Sequence, residues 1–172
     1  MKARNMLWCL AFQAFLIWPV TANCQIESAG PDDFEVNIND NTWVLGAGNR
    51  YAITPDSVSI TGQNDYGRTL INYLKRGLTP KERKKALAFL QNFSFDTLED
   101  AYIGDTSVVL QGEHYAPRTI EISGRVGHRA FYSVMKGCYA TRVVRFCEFM
   151  NTFLPTEVAI RVNKENFRVV YP

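Results

Sequence analysis

The residues able to do chemistry are few, and their spacing is poor for most reactions. His114 and His128 are the only two histidines in 172 residues. Neither belongs to a metal-ligand pattern, so a zinc site would need both of them plus remote carboxylates. Glu113-His114-Tyr115 reads as a loop and Gly127-His128-Arg129 as a hairpin tip, and both imidazoles read as surface groups. No residue stands beside either one in a nucleophile–base arrangement.

Carboxylates are more plentiful. Asp96, Glu99, Asp100, Asp105, Glu113 and Glu121 could supply an acid–base pair for hydrolysis of a sugar polymer. Asp96 followed three residues later by Glu99 is equally the pattern of a helix cap, which needs no chemistry. The run Asn37-Ile38-Asn39-Asp40-Asn41 begins like a calcium loop but lacks the central glycine, and Gly48 stands where the bidentate glutamate belongs. It reads as a turn. Gly46-Ala47-Gly48 lacks the third glycine of a dinucleotide fingerprint. No motif calls for a metal or cofactor.

The cysteines raise a question of parity. Cys9 falls in an apolar leader, leaving Cys24, Cys138 and Cys147. In one continuous helix Cys138 and Cys147 would stand roughly 13 Å apart, beyond disulfide reach. A bridge therefore needs Cys138 ahead of the helix, which Gly137 permits; the alternative for Cys147 is a buried core thiol between Phe146 and Met150. Lipidation of Cys24 would resolve the odd count, although Thr21-Ala22-Asn23 matches a lipobox only at Ala22.

Lys75, Arg76, Lys81, Arg83, Lys84 and Lys85 crowd the start of a helix. Cations there oppose the macrodipole, at a cost of some tenths of a kcal/mol each. A solvated face explains such a cluster, and an anionic partner is the functional alternative.

The elements that must position these groups begin after an export signal. Lys2 and Arg4 precede an apolar run from Met6 to Trp18, then Pro19 and the small residues Val20-Thr21-Ala22. Residues 1–22 form a secretory signal, and the run is short for a permanent span, which needs about 20 apolar residues. Lys2 and Arg4 account for the whole +2 charge, so the exported remainder is close to neutral. A general nucleic-acid binder would carry a basic excess. Residues 23–33 read as a polar tether, and 34–172 as one domain with room for a sizeable core.

Phe34–Ile38 alternates as a half-buried strand, and Trp43-Val44-Leu45 is a second candidate. Tyr51–Ile53 and Val58–Ile60 flank Pro55-Asp56 as a hairpin. Leu70, Ile71 and Leu74 have helical spacing, with Gly77 as a stop. Thr79-Pro80-Lys81-Glu82 is a capping box opening a helix that buries Ala86, Phe89, Leu90 and Phe93. Val108–Leu110, Thr119–Ile122 and Ala130–Val134 read as strands, Tyr139–Phe153 as a second long helix, and Val158–Val162 with Phe167–Tyr171 as a closing hairpin. The pattern predicts an α+β fold: an antiparallel sheet in two strand blocks, with two main helices on one face.

The function expected from this is a non-catalytic binding or inhibitory module for a protein or envelope polymer, exported to the periplasm or beyond. A small carboxylate-dependent envelope hydrolase and a structural lipoprotein are the alternatives. Membrane contact is expected only through a lipid anchor or an uncleaved signal.

Overall fold

A computed structural model describes residues 30, 32–41, 48–64, 69–104, 109–110, 113–114 and 118–172. The signal, Cys9, Cys24, most of the tether, the Trp43–Leu45 strand candidate and Asp105 lie outside the described residues.

The fold is α+β. In chain order it has β1 (Phe34–Asn41), β2 (Gly48–Ile53), β3 (Ser57–Asn64), β4 (Thr69–Gly77), α1 (Pro80–Asn92), β5 (Ala101–Ile103), β6 (Val109–Leu110), β7 (Glu113–His114), β8 (Thr119–Val126), β9 (Arg129–Lys136), β10 (Tyr139–Ala140), α2 (Thr141–Asn151) and β11 (Val170–Tyr171). Seven strands form one sheet in the order β4-β3-β2-β1-β8-β9-β5, antiparallel throughout except for the β5–β9 pair.

Side-chain alternation gives the sheet two unlike faces. Phe34, Val36 and Ile38 of β1, Tyr51 and Ile53 of β2, Val58 and Ile60 of β3, and Ile120 and Ile122 of β8 are buried on the helix side. Glu35, Asn37 and Asn39 of β1, Arg50 of β2 and Glu121 of β8 lie on the other, where Arg50 bonds Asn37 at 3.0 Å. Among the described residues no helix covers that face.

Aromatic rings fill the space beneath the helices. Phe146 of α2 lies 4.5 Å from Phe93, which follows α1, and 5.4 Å from Phe131 of β9. Phe89 of α1 stacks on Phe149 of α2 with centroids 4.1 Å apart and planes 6° from parallel. Such offset pairs each add about 0.5–1.5 kcal/mol beyond their buried area.

Several sequence expectations need correction. Residues 69–77 are strand, not helix. A register shift between Ile60 and Thr61 sets Ile71 opposite Gly62 and Leu74 opposite Ile60, so partners two apart on β3 meet residues three apart on β4. That bulge gives one strand face the three-residue spacing of a helix. Asn39-Asp40-Asn41 continues β1 rather than turning. The β8–β9 hairpin turns tightly at Gly127-His128, with Gly127 at φ +55°, so β8 runs on past Ile122 to Val126. Helix α2 starts at Thr141, because Tyr139–Ala140 pairs in parallel with Val170–Tyr171.

The closing hairpin does not form. Asn151 donates to the Ile160 carbonyl at 2.9 Å and accepts from the Ile160 N–H at 2.7 Å. Arg118 donates to the Arg161 carbonyl at 2.5 Å. The Val158 and Ala159 N–H groups bond to the Pro155 and Thr156 carbonyls, so local turns and side chains take up backbone groups that a partner strand would have used.

Candidate functional site

The two helices and the crevice between them make the most promising surface. Its starting point is the box at the head of α1. The Thr79 hydroxyl accepts from the Glu82 N–H at 3.3 Å, and Glu82 accepts from the Thr79 N–H at 2.9 Å. Arg76 approaches from β4 and donates to both Glu82 oxygens, at 2.7 and 3.2 Å, and to the Phe153 carbonyl at 2.8 Å. The Arg76 hydrogen bonds, helped by the Thr79 backbone and hydroxyl, pull the Glu82 carboxyl down to about 2. Glu82 is the one acidic residue in the first turn, so its charge is already taken up.

This divides the basic cluster. Arg76 is a structural tie. Lys75 lies opposite Ser59, on the uncovered face of the sheet, away from the helices. Lys81, Arg83, Lys84 and Lys85 are exposed along α1 and form no ion pair among the described residues. At 100° per residue, Lys81, Lys85, Ala88 and Asn92 share one flank of α1. That exposed flank borders the crevice beside α2, since Lys85 sits 5.8 Å over the Phe153 ring and Ala88 and Asn92 line the crevice with Arg142 and Arg145. Arg83 falls on the far flank and Lys84 on the outermost line.

The crevice is an open groove of about 410 Å³ lined by Ala88, Phe89, Asn92, Phe93, Ser94, Arg142 and Arg145. Phe89 and Phe93 give it an apolar floor, and no acidic side chain lines it. Arg142 is steadied by the Thr97 hydroxyl, while Arg145 is exposed. Neither guanidinium has an ion-pair partner among the described residues. Lys81 and Lys85 thus lead along α1 into a pocket holding two arginines. Arg142 and Arg145 escaped the sequence reading. Their three-residue spacing on the polar stripe of α2 was visible, but nothing local said that α2 lies beside the basic flank of α1.

A second polar cluster is buried. Arg118 grips Asp40 through Nε–Oδ1 at 2.8 Å and Nη2–Oδ2 at 2.5 Å, with Asp40 only 6% exposed. Burial and the Asp40 charge raise the nearby Tyr51 hydroxyl, and burial pushes the Cys147 thiol up to about 12. For Arg118, burial works against the charged form, but the bonds and charge of Asp40 outweigh it. These groups neutralise one another and hold the C-terminal segment through the Arg161 carbonyl.

The remaining candidates do not converge. Cys138 and Cys147 are free, buried thiols with no bridge between them. Cys138 donates to the Tyr102 carbonyl at 3.2 Å, whereas Cys147 packs inside α2 near Asp40. Asp96 lies within a 3₁₀ turn (Phe95–Thr97) rather than capping it, and pairs with Arg129. Glu121 meets Asn39 at 3.5 Å on the uncovered sheet face. His128 is exposed in its turn. Among the described residues no three His, Cys, Asp or Glu side chains group as a metal site, and no helix is long and apolar enough to cross a membrane.

Compared with protein-family models, curated proteins and solved structures, the chain has no significant match in any of the three.

Proposed function

We propose that this protein is an exported, non-catalytic binding module that captures an anionic partner in the cell envelope on the face formed by α1 and α2. The observation that carries the reading is a groove walled by Arg142 and Arg145 with no acidic lining, bordered on α1 by Ala88 and Asn92, the flank that also carries Lys81 and Lys85. The cations within reach of Glu82 and Asp40 are used up in structure, and these are not. Like charges gathered without counterions carry a standing repulsion that an anionic partner relieves. The leader at residues 1–22 supports an extracytoplasmic setting.

The test is salt-dependent retention on polyglutamate and polyphosphate resins. Wild-type protein should be held on at least one at low salt. A Lys81→Glu/Lys85→Glu/Arg145→Glu variant should pass through, while Lys75→Glu, on the opposite side of the sheet, should elute like wild type. If Lys75→Glu is lost to the same extent, retention is general charge and the reading fails. Glu113→Gln should leave capture unchanged; loss of function with the fold preserved would instead favour the carboxylate hydrolase.

A further inference from the structure

Taking the anionic-partner reading as its basis, we infer that the ligand is an acidic polypeptide segment in extended form, with one large apolar side chain seated in the groove between α1 and α2. The flank from Lys81 to Asn92 runs roughly 17 Å, from eleven steps of 1.5 Å. An extended strand covers that distance in about five residues. Carboxylates spaced along such a segment meet Lys81 and Lys85 on one helix and Arg145 and Arg142 on the other.

The groove sets the chemistry at the end of this track. Its volume of about 410 Å³ lies in the lower part of the range for ligand pockets. The floor is the rings of Phe89 and Phe93, and the rim carries Asn92, Ser94 and the two guanidiniums. A bare phosphate or a polyglutamate chain would leave those rings facing water. An aromatic or branched side chain flanked by carboxylates satisfies both floor and rim.

A lipid surface fits less well. A helix lying on a membrane buries an apolar face. The apolar side of α1 is spent on Phe146 and Phe149, and its exposed positions Lys81, Arg83, Lys84, Lys85, Ala88, Gln91 and Asn92 include no large apolar side chain. Among the described residues the exposed large apolar ones, Tyr73, Ile103, Tyr132 and Val170, all lie outside the two helices.

The experiment compares two fluorescein-labelled peptides, Asp-Glu-Phe-Asp-Glu-Glu and its twin with Ser in place of Phe, by anisotropy with the full chain at low salt. The Phe peptide should bind about tenfold more tightly, the effect of burying one large apolar side chain. Ala88→Trp, which fills the groove from an exposed helical position, should abolish that advantage and leave the Ser twin unchanged. Ser94→Trp does the same from a second exposed lining position if Ala88→Trp fails to fold. Arg145→Glu should weaken both peptides.

Equal binding of the twins to wild type, or an advantage surviving both tryptophan variants, overturns the inference. The anionic-partner reading then still stands, provided Arg145→Glu weakens both. Binding of polyphosphate or phosphatidylglycerol vesicles with neither peptide bound also overturns the inference alone. Failure of every anionic probe overturns the two together.

Discussion

Arg118 and the cations of the helix pair use the same chemistry in opposite surroundings. Arg118 sits against the end of the sheet, bidentate on a nearly buried Asp40 and bonded to a backbone carbonyl from the C-terminal segment. Lys81, Lys85 and Arg145 stand exposed on two helices and have no counterion among the described residues. A buried pair must be complete, because removing one partner strands a charge in a medium that solvates it poorly. An exposed cation is solvated by water and is free to take a partner from outside. Arg76 lies between the extremes, half-exposed yet committed to Glu82. Position in the fold, more than residue type, separates scaffold from proposed binding surface.

The comparison breaks most sharply at the buried end. Asp40→Ala should cost about 3–5 kcal/mol by leaving Arg118 uncompensated. Denaturant unfolding reads this, and Arg118→Met in the same background should recover part of the loss. If Asp40→Ala costs no more than an exposed pair, the cluster is not the scaffold element described.

Intermediate effects belong to the α1 box. Thr79→Ala should cost about 1 kcal/mol through loss of the cap, with anion binding unaltered. Acid probes the same place. The folded Glu82 carboxyl sits near 2, below its ordinary value of 4.5, so its stabilisation is complete above about pH 4.5 and is lost as pH falls toward 2. The loss should stay within about 1 kcal/mol, since the pair is partly solvated. In Arg76→Ala the same stretch of the pH–stability curve should be flatter; an unchanged slope would mean that Arg76 does not set the Glu82 titration.

The smallest effect on stability is expected where the effect on binding is largest. Reversing Lys81, Lys85 and Arg145 together should move stability by no more than about 0.5 kcal/mol per site. A much larger loss would place these residues with Arg118 in the scaffold and erase the distinction between the two regions.

Legibility in the sequence followed the range of the forces involved. The capping box was readable because Thr79, Pro80 and Glu82 act within one turn. The first three strands of the meander were largely readable from alternation, and the Pro55-Asp56 turn from its own chemistry. Strand β4 was not. Its bulge against β3 places Ile71 and Leu74 on rows that only the pairing defines, and taken alone their spacing is helical. The 158–162 segment alternates like a strand, but Asn151 and Arg118 take up the backbone groups of Ile160 and the Arg161 carbonyl, and that competition has no local trace.

The candidate site divides in the same way. The basic run at the head of α1 is a property of consecutive residues, as is the amphipathic stripe that turns Phe146 and Phe149 of α2 inward. So is the α+β class, which rests on short-range periodicity and composition. The tertiary structure decided the rest. It removed Arg76 to a salt bridge, sent Lys75 to the far side of the sheet, and brought Arg142 and Arg145 to the flank of Lys81 and Lys85. Helical period fixes which side chains share a flank, but which flanks meet depends on packing two helices over one sheet, and that is settled by contacts among residues far apart in the chain.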